Sequence, residues 1–211
     1  VVSEMCIRDR SDGIIKTYSD VGIPDKNLFL TPNGLDIDAY VFSDKPKYSD
    51  RSICIGKIED RKKQYFLQNI DSLWFAGNIA DNRFNQSKNY LGELPKTKIK
   101  TNLTDYGNLV LVSDGEVHPR VCTEALAAGL GVVVSECGIA NLDLDRDFIS
   151  VIPDAKINDI EYIEKHVIMN REYSINHRQE IRDYAKKFDW PEIFDKYYFP
   201  SIKEVIDEKL S

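Results

Sequence analysis

Short apolar runs alternate with longer segments of helical pattern along most of the chain. The apolar runs are short for helices and predict strands at residues 53–55, 73–76, 90–92, 109–112, 132–134 and 149–152. Helical patterns occur at residues 64–70, 96–106, 121–128, 159–169 and 171–187. This alternation predicts an α/β, Rossmann-like domain, with a mostly parallel sheet covered by helices on both faces.

The two ends of the chain carry further signals. Residues 11–21 have the pattern of an amphipathic helix, and residues 27–31 have that of a short strand. Residues 190–208 predict a final helix that bends near Pro200. The polar segment 40–51 is interpreted as a linker.

Residues 109–136 are the most informative segment, because they combine two strands, a loop and a helix. The first strand leads into a polar loop at residues 114–119, named here the Glu116 loop, and then into a helix that Gly129 ends. Elements in this order form a right-handed crossover between parallel strands. The Glu116 loop and the start of the helix are therefore expected at the carboxyl edge of the sheet, where ligands bind in open α/β folds.

Two carboxylates, Glu116 in that loop and Glu124 in the first turns of the helix, are expected to face one crevice. A carboxylate accepts two neighbouring hydroxyl groups at once, which suits the diol of a ribose or a hexose. Backbone amides at residues 119–122 lie at the positive end of the helix and suit a phosphate. Two diol acceptors beside an anion site predict a pocket for a nucleotide sugar. The alternative is that Glu124 only complements the helix dipole and Glu116 is a solvated loop charge.

A second group of charges follows the first main strand. In residues 56–63, named here the cationic loop, Gly56 allows a close backbone turn, and Lys57 and Lys62 are spaced to approach one anion from two sides. Fixed cations at such a place stabilise the charge that develops on a departing diphosphate. The alternative is a solvated basic loop, balanced by its own two acidic residues.

Other polar residues give weaker indications. His118 lies between the two glutamates and is a candidate for contact with a sugar hydroxyl or for proton transfer; the alternative is a loop histidine without a partner. Asp143 and Asp145 lie well after the crossover rather than at a strand end, so they do not predict a metal-bound diphosphate. We therefore expect no metal and no other cofactor.

Composition narrows the class of partner and the compartment. The net charge of −7 and the pI near 5.1 argue against nucleic acid, which requires a basic face. Cys6, Cys54, Cys122 and Cys137 show no paired spacing, which predicts a reduced, cytoplasmic protein in which Cys54 and Cys122 are small core residues. No apolar run approaches the ~20 residues of a membrane span, so membrane contact is expected to be peripheral at most.

The first ten residues do not share the patterns of the rest. The sequence MCIRDR within residues 1–10 resembles a translated reading frame of the transposon end that is used to tag sequencing libraries. We expect these residues to be foreign, and the natural protein to continue upstream.

Four segments are similar in sequence and spacing to one enzyme family. Residues 22–36 (GIPDKNLFLTPNGLD) resemble its hinge segment, and residues 56–63 (GKIEDRKK) resemble its Gly-Arg then Lys-Gly loop. Residues 113–135 resemble its signature with two glutamates, and residues 188–198 (FDWPEIFDKYY) resemble its crossing helix. From about residue 12 onward, the chain thus resembles the C-terminal, donor-binding domain of retaining GT-B glycosyltransferases of the group 1, family 4 type.

The resemblance implies a role for each matching residue. Lys57 and Lys62 would bind the donor diphosphate, Glu124 the nucleotide ribose and Glu116 the transferred sugar, with Glu116 and the two lysines as the catalytic set. The remaining donor-binding residues would be Gly56, Arg61, Val117, His118, Pro119, Arg120 and Val121 around the phosphates and sugar, and Gly92, Glu93 and Leu94 at the base.

The chain departs from the family pattern in the cationic loop and in the Glu116 loop. Lys57 stands where arginine is usual, so the positive charge is kept but the planar, two-pronged donor geometry of a guanidinium group is lost. The usual Glu-Gly-Phe reads Glu-Val-His from Glu116 onward. The usual Lys-Gly pair is Lys62 and Lys63, and Arg61 is an alternative phosphate ligand to Lys62.

The function that the resemblance implies is transfer of a hexose from a nucleoside diphosphate sugar to a glycan, lipid or other acceptor, with retention. Residues 11–36 would be the end of an N-terminal domain and the hinge, residues 37–187 the donor-binding domain and residues 188–211 the crossing helix. A missing N-terminal GT-B domain would supply acceptor contacts, so we expect this chain alone to bind donor without transfer. A non-catalytic nucleotide-sugar-binding module and a GT-B sugar-nucleotide epimerase are open alternatives.

Overall fold

A parallel sheet with helices on both of its faces forms the centre of the fold. The computed structural model describes residues 7–86 and 89–210. Its strands are β1 (Ile7–Asp9), β2 (Leu28–Leu30), β3 (Tyr48–Ile55), β4 (Leu73–Ala76), β5 (Tyr106–Leu111), β6 (Gly131–Ser135) and β7 (Ile149–Ile152). Its α-helices are α1 (Asp12–Asp20), α2 (Gln64–Leu67), α3 (Lys96–Asn102), α4 (Arg120–Ala127), α5 (Ile160–Asn176), α6 (Arg178–Ala185), α7 (Trp190–Ile193) and α8 (Phe199–Leu210).

The main sheet has the order β4-β3-β5-β6-β7, and all of its strands run parallel. Successive side chains of β5 point to opposite faces, because Leu109 and Leu111 pack in one hydrophobic cluster and Val110 packs in the other. Helices α4 and α6 contribute to the first cluster, and α2 and α5 contribute to the second. The prediction of a mostly parallel sheet covered on both faces is confirmed.

Strand β3 is longer than the sequence pattern predicts. It begins at Tyr48, so the interpretation of residues 48–51 as part of a linker is wrong. The guanidinium carbon of Arg51 lies 4.4 Å from the ring centroids of both Tyr48 and Trp74. A polar stretch can therefore continue a strand, because its charge packs on aromatic rings rather than in the apolar core.

Helix α5 continues through Asn170, where the sequence pattern predicts a break between two helices. The Asn170 Nδ2 atom donates to Ser150 Oγ at 3.1 Å and to the carbonyl of Val132 at 3.3 Å, and its Oδ1 atom accepts from Asn108 Nδ2 at 2.9 Å. These bonds satisfy a buried amide and fix α5 against β5, β6 and β7. The predicted break is wrong, because this polar residue faces the sheet and not the solvent.

Two further short predictions differ from the structure. Residues 90–92 do not form a strand, and Tyr90 makes only an isolated bridge with Phe75. The predicted helix at residues 190–208 is divided into α7 and α8 by a π-helical turn at Phe194–Tyr198. The irregular turn thus precedes Pro200.

The N-terminal elements form a small unit of their own. The predicted helix at residues 11–21 is α1, and the hydroxyl of Ser11 caps it by accepting from the amide of Ile14 at 3.4 Å. Strands β1 and β2 pair in parallel. Strand β1 belongs to the segment that is expected to be foreign; that origin stays a prediction, and residues 1–6 lie outside the described part of the chain.

A buried guanidinium ties α6 to the main sheet. Arg178 is 2% exposed and donates to the carbonyls of Ser43, Thr104, Tyr106 and Ala128 at 2.6 to 3.1 Å. Burial lowers its pKa to about 10, so the side chain stays charged at neutral pH. One side chain therefore satisfies carbonyls from the segment before β3, from the start of β5 and from the end of α4.

Replacing Arg178 by alanine should lower the free energy of unfolding by about 3–5 kcal/mol, because several buried carbonyls lose their donor. Arg178→Lys should recover only part of the loss, since one ammonium group cannot reach all of these acceptors. Urea unfolding followed by circular dichroism measures both changes, with exposed Lys165→Ala as the matched control. A loss below about 1 kcal/mol for Arg178→Ala would contradict this assignment.

Candidate functional site

Two glycines set the spacing of the loops that leave β3 and β4. Gly56 and Gly77 have φ values of +148° and +149°. A Cβ atom on Gly77 would lie 1.9 Å from the carbonyl oxygen of Gly56. This approach excludes a side chain at Gly77, so the two loops leave the carboxyl edge of the sheet in direct contact.

The cationic loop folds so that three cations surround one carboxylate. Glu59 lies 2.8 Å from Arg61 Nη2, 3.9 Å from Lys57 Nζ and 4.0 Å from Lys62 Nζ. The side chain of Lys57 is 59% exposed, whereas that of Lys62 is only 15% exposed. Lys57 is thus the outer cation and Lys62 the inner cation, and the loop carries its own counter-charge.

Glu116 joins the cationic loop to the Glu116 loop. Its Oε1 atom lies 2.9 Å from Arg61 Nη1 and 3.9 Å from Lys62 Nζ, and its side chain is 14% exposed. Arg61 also donates to the carbonyl of Gly115, and the Arg61 carbonyl accepts from the amide of Asp114 at 2.8 Å. Glu116 is therefore a largely buried, paired charge and not a solvated loop charge.

Lys63 adds a second link between the same two loops. Its backbone has the left-handed conformation, with φ +50°, at the position where the family pattern has glycine. Its Nζ atom lies 2.9 Å from Asp114 Oδ2. Lys63 thus adopts the left-handed conformation with its ammonium group paired to the Glu116 loop.

Glu124 lies in the second turn of α4, close to a buried tyrosine. The buried side chain of Tyr40 lies within electrostatic range of the Glu124 carboxylate. Burial raises the pKa of Tyr40 above its usual range, and the charge of Glu124 raises it further, so the hydroxyl stays protonated at physiological pH. Burial also raises the pKa of the Cys122 thiol, and the charges of Glu116 and Glu124 add to this rise. Both carboxylates therefore lie close to the buried thiol of Cys122.

The cysteines near the site belong to the core. Cys54 and Cys122 are free and buried, which confirms their interpretation as small core residues. Burial raises the pKa of Cys54 to about 12, so its thiol is neutral at physiological pH. Cys137 is partly exposed, and Cys6 lies outside the described residues.

His118 is a neutral, partly buried residue of the Glu116 loop. Burial lowers its pKa, and the positive charge of Arg10 lowers it further. Its Nδ1 atom lies 3.5 Å from Asn33 Nδ2, and its buried Nε2 atom makes no hydrogen bond within the described part of the chain. The histidine therefore has one weak contact, and it keeps one ring nitrogen for a further hydrogen bond.

Several of the predicted site residues line two cavities along this edge. A cavity of about 460 Å³ contains Arg61, Glu116, Val117 and His118 in its wall. Pro119 caps α4 without a side-chain hydrogen bond, which leaves the amides of the following first turn, at Arg120 and Val121, without a side-chain acceptor from the cap. This space thus has a carboxylate on one side, and the positive end of α4 begins directly after the loop that lines it.

The second cavity has a volume of about 370 Å³ and lies between the ends of β3 and β4. Gly56, Lys57, Glu93 and Leu94 belong to its wall. Gly92 has a different part, because its carbonyl accepts from the amide of Gly77 at 2.9 Å and fixes the loop that carries Glu93. Lys57 therefore lies beside the space that the sequence predicts for a base.

Two features of the site were missed from the sequence. Tyr40 lies in the segment interpreted as a linker, although it is 3% exposed and close enough to Glu124 for that charge to raise its pKa. Glu59 was seen only as a compensating loop charge, whereas it contacts each of the three cations of its loop. A large aromatic residue in a polar segment was the available signal for Tyr40; the position of Glu59 depends on the fold of the loop.

Neither a metal cluster nor a membrane span occurs in the described part of the chain. Among residues 7–86 and 89–210, no group of three or more His, Cys, Asp or Glu side chains is arranged to hold a metal ion. No helix within the same ranges is both long and apolar enough to cross a membrane. The expectations of no required metal and of a cytoplasmic location stay predictions.

Comparison with known proteins gives similarity only at the level of structure. No protein-family model and no curated protein matches the chain. HepE from Anabaena, solved in complex with UDP and glucose, is 15% identical over 96% of this chain and 63% of its own, with a TM-score of 0.71. Sucrose-phosphate synthase from Thermosynechococcus elongatus is 14% identical over 97% of this chain and 58% of its own, with a TM-score of 0.70. The lipopolysaccharide outer core galactosyltransferase WaaB is 15% identical over 96% of this chain and 61% of its own, with a TM-score of 0.68.

These similarities establish the fold class. The chain has the Rossmann-like fold of the C-terminal half of GT-B proteins, which confirms the fold predicted from the sequence. It spans about three fifths of the length of the solved proteins that it matches.

Proposed function

We propose that the protein is a glycosyltransferase that moves a hexose from a nucleoside diphosphate sugar to a glycan, lipid or other acceptor, with retention of configuration. In this proposal the chain is the donor-binding half, and a second GT-B domain supplies the acceptor contacts. The observation that carries the proposal is the position of Glu116, held between Arg61 and Lys62 in the loop that leads into the N-terminus of α4.

The diphosphate would lie between the inner cation and the positive end of α4. Lys62 Nζ is 3.9 Å from Glu116 Oε1, so the same ammonium group is close to the sugar position and to the phosphate position. Lys57 is largely exposed and free to turn toward an entering phosphate. Two lysines at this place would stabilise the charge on the leaving diphosphate without a metal ion.

The transferred sugar would bind at Glu116. The described contacts to the Glu116 side chain are all at Oε1, so Oε2 would accept the hydroxyl groups of a hexose. His118 would add a neutral imidazole at the same cavity, whose buried Nε2 atom has no hydrogen bond in the described chain. A carboxylate with one occupied oxygen and one open oxygen holds a diol in a defined orientation.

The nucleoside would occupy the neighbouring space. Glu124 is proposed to accept the hydroxyl groups of the ribose, and the cavity with Glu93 and Leu94 in its wall is proposed to hold the base. The solved complexes support a nucleoside diphosphate donor, since HepE was crystallised with UDP and with UDP-glucose. The names of sucrose-phosphate synthase and the galactosyltransferase WaaB support a hexosyl transfer.

The division of roles between the two glutamates can be tested by calorimetry with UDP-, GDP- and ADP-glucose and with the matching nucleoside diphosphates. For the donor that binds, Glu124→Gln should weaken both the sugar nucleotide and the free diphosphate by about 10-fold or more, because each contains the ribose. Glu116→Gln should weaken the sugar nucleotide by a similar factor and leave the free diphosphate within about twofold.

Exposed Glu180→Gln on α6 is the matched control and should bind like the wild type. Failure of the wild-type chain to bind any of these nucleotides would refute the proposal. Equal losses in both glutamate variants, for both classes of ligand, would refute the assignment of sugar to Glu116 and ribose to Glu124.

The role of the inner cation leads to a separate prediction. Lys62→Met should reduce the affinity for UDP by about 10-fold or more and the affinity for UMP much less, because the lost charge faces the second phosphate. Adding EDTA should leave the affinity of the wild type for UDP unchanged. Exposed Lys45→Met is the control for loss of one positive charge. A loss of UDP binding on addition of EDTA, or an equal effect of Lys62→Met on UDP and UMP, would contradict the proposed phosphate site.

A further inference from the structure

A third cavity, of about 600 Å³, adjoins the cavity proposed for the sugar. Its wall is formed by α1 with its cap and by residues 136–144, which follow β6, and it is named here the apolar cavity. Glu116 and Val117 belong to the wall of the apolar cavity and also to the wall of the proposed sugar cavity. The two spaces therefore meet at these two residues.

Aliphatic side chains form much of the wall of the apolar cavity. Val117 is 48% exposed and Leu144 is 47% exposed, although both are large and apolar. The other apolar residues of the wall are Ile14, Ile139, Ala140 and Leu142. Exposed apolar side chains that cluster in a concave surface indicate a binding site. Since these six residues are all aliphatic, they offer a ligand no aromatic ring for stacking.

Three polar side chains that α1 and its cap contribute to the wall already have partners. Ser11 caps the helix, and Thr17 Oγ1 donates to the carbonyl of Gly13 at 3.0 Å. Lys16 Nζ lies 2.8 Å from Asp20 Oδ2. A glycan held against this wall would find few open hydrogen-bond partners, and burying its hydroxyl groups unpaired is unfavourable.

The charges of the wall disfavour an anionic ligand. Asp12 and Glu136 are exposed carboxylates of the wall, and Glu116 adds a third. The ammonium group of Lys16 is paired with Asp20. The cavity therefore favours a neutral, apolar ligand.

The loop that forms one side of the cavity is held without a ligand. Ile139 and Leu142 pack against the hydrophobic cluster that contains α4, and the amide of Leu142 donates to the carbonyl of Ile139 at 2.9 Å. The amide of Asp143 donates to the hydroxyl of Tyr184 at 2.8 Å. The apolar cavity is thus formed before binding, as is usual for small-molecule sites.

We propose that the apolar cavity binds the acceptor, and that this acceptor is a neutral alcohol whose hydroxyl group is joined to an aliphatic chain. The inference rests on the proposed function, because the hydroxyl group must meet a hexose that is bound at Glu116. The aliphatic chain lies in the apolar cavity, and the hydroxyl group lies where the two cavities meet. Its oxygen bonds to the anomeric carbon, the bond from that carbon to the phosphate oxygen breaks, and the diphosphate leaves with the bonding electrons and takes up the hydroxyl proton.

Calorimetry on the chain itself tests this class of acceptor without requiring transfer. The ligands are n-butanol, n-hexanol and n-octanol, with hexanoate as the anionic and benzyl alcohol as the aromatic comparison. The proteins are the wild type, Leu144→Asn and the control Met169→Asn, which also replaces an exposed apolar side chain but lies on α5, outside the wall.

The affinity of the wild type should rise about threefold for each added methylene group, because each one leaves water. Hexanoate and benzyl alcohol should bind more weakly than n-hexanol. Leu144→Asn should weaken n-octanol by about threefold, and Met169→Asn should leave it unchanged. Bound n-octanol should also slow the alkylation of Cys137, a partly exposed residue of the wall, as measured by peptide mass spectrometry.

The link between the two cavities has a separate test. The ligand is the hexyl α-glycoside of the hexose whose donor binds, in which chain and sugar are joined as in the product of a retaining transfer. It should bind together with UDP but compete with the UDP-hexose, because its sugar and the donor sugar need the same space. n-Hexanol should bind in the presence of either nucleotide.

Equal affinities for n-butanol and n-octanol, or equal losses in Leu144→Asn and Met169→Asn, would overturn the inference. Tighter binding of hexanoate or benzyl alcohol than of n-hexanol would overturn the proposed class of acceptor. A hexyl glycoside that binds together with the UDP-hexose would overturn the link to the sugar site. The proposed function would stand in each of these cases, provided that the UDP-hexose binds. Absence of nucleotide binding would instead refute the proposed function together with this inference.

Discussion

The contact of Glu116 with Arg61 and Lys62 is the interaction on which the site depends. Two loops that follow β3 and β5, neighbouring strands of the sheet, bring these three side chains together. A carboxylate that is 14% exposed would be destabilised without a partner, so the two cations stabilise its charge and its position at once. The Lys63–Asp114 pair joins the same two loops a second time, and the close contact of Gly56 with Gly77 fixes the loop after β3 against the loop after β4.

The cations of the site are paired with carboxylates of the chain itself, and a bound donor would take over some of these pairings. Glu59 and Glu116 offset the positive charge of the cationic loop. An entering diphosphate would compete with these carboxylates for Lys57 and Lys62, so it would replace existing ion pairs rather than meet uncompensated cations. Lys62, the largely buried cation, is already held at this place, whereas the exposed Lys57 would turn toward the phosphate.

The sheet was predictable because its strands are short apolar runs between turn signals. Residues 73–76 and 149–152 were predicted with the bounds that the structure has. The pattern failed where polar residues take part in regular structure: at Arg51, which continues β3 by packing on aromatic rings, and at Asn170, whose amide is satisfied by the strands beneath α5. In both cases the partners are distant in sequence, so no local pattern contains them.

Part of the site was predictable because the order of strands and helices fixes which loops lie together. The carboxyl edge of a parallel sheet follows from the order of elements, and it places Glu116 near Lys62. The choice of Arg61 as the closer partner of Glu116 and the burial of Tyr40 depend on the shapes of two irregular segments.

The most direct test is a crystal structure of the chain with a bound UDP-hexose. We expect the diphosphate to lie against Lys62 and the first turn of α4, the hexose hydroxyl groups to bind Glu116 and the ribose to bind Glu124. A nucleotide bound elsewhere, or one at this edge whose ribose and sugar make no contact with either glutamate, would contradict the account.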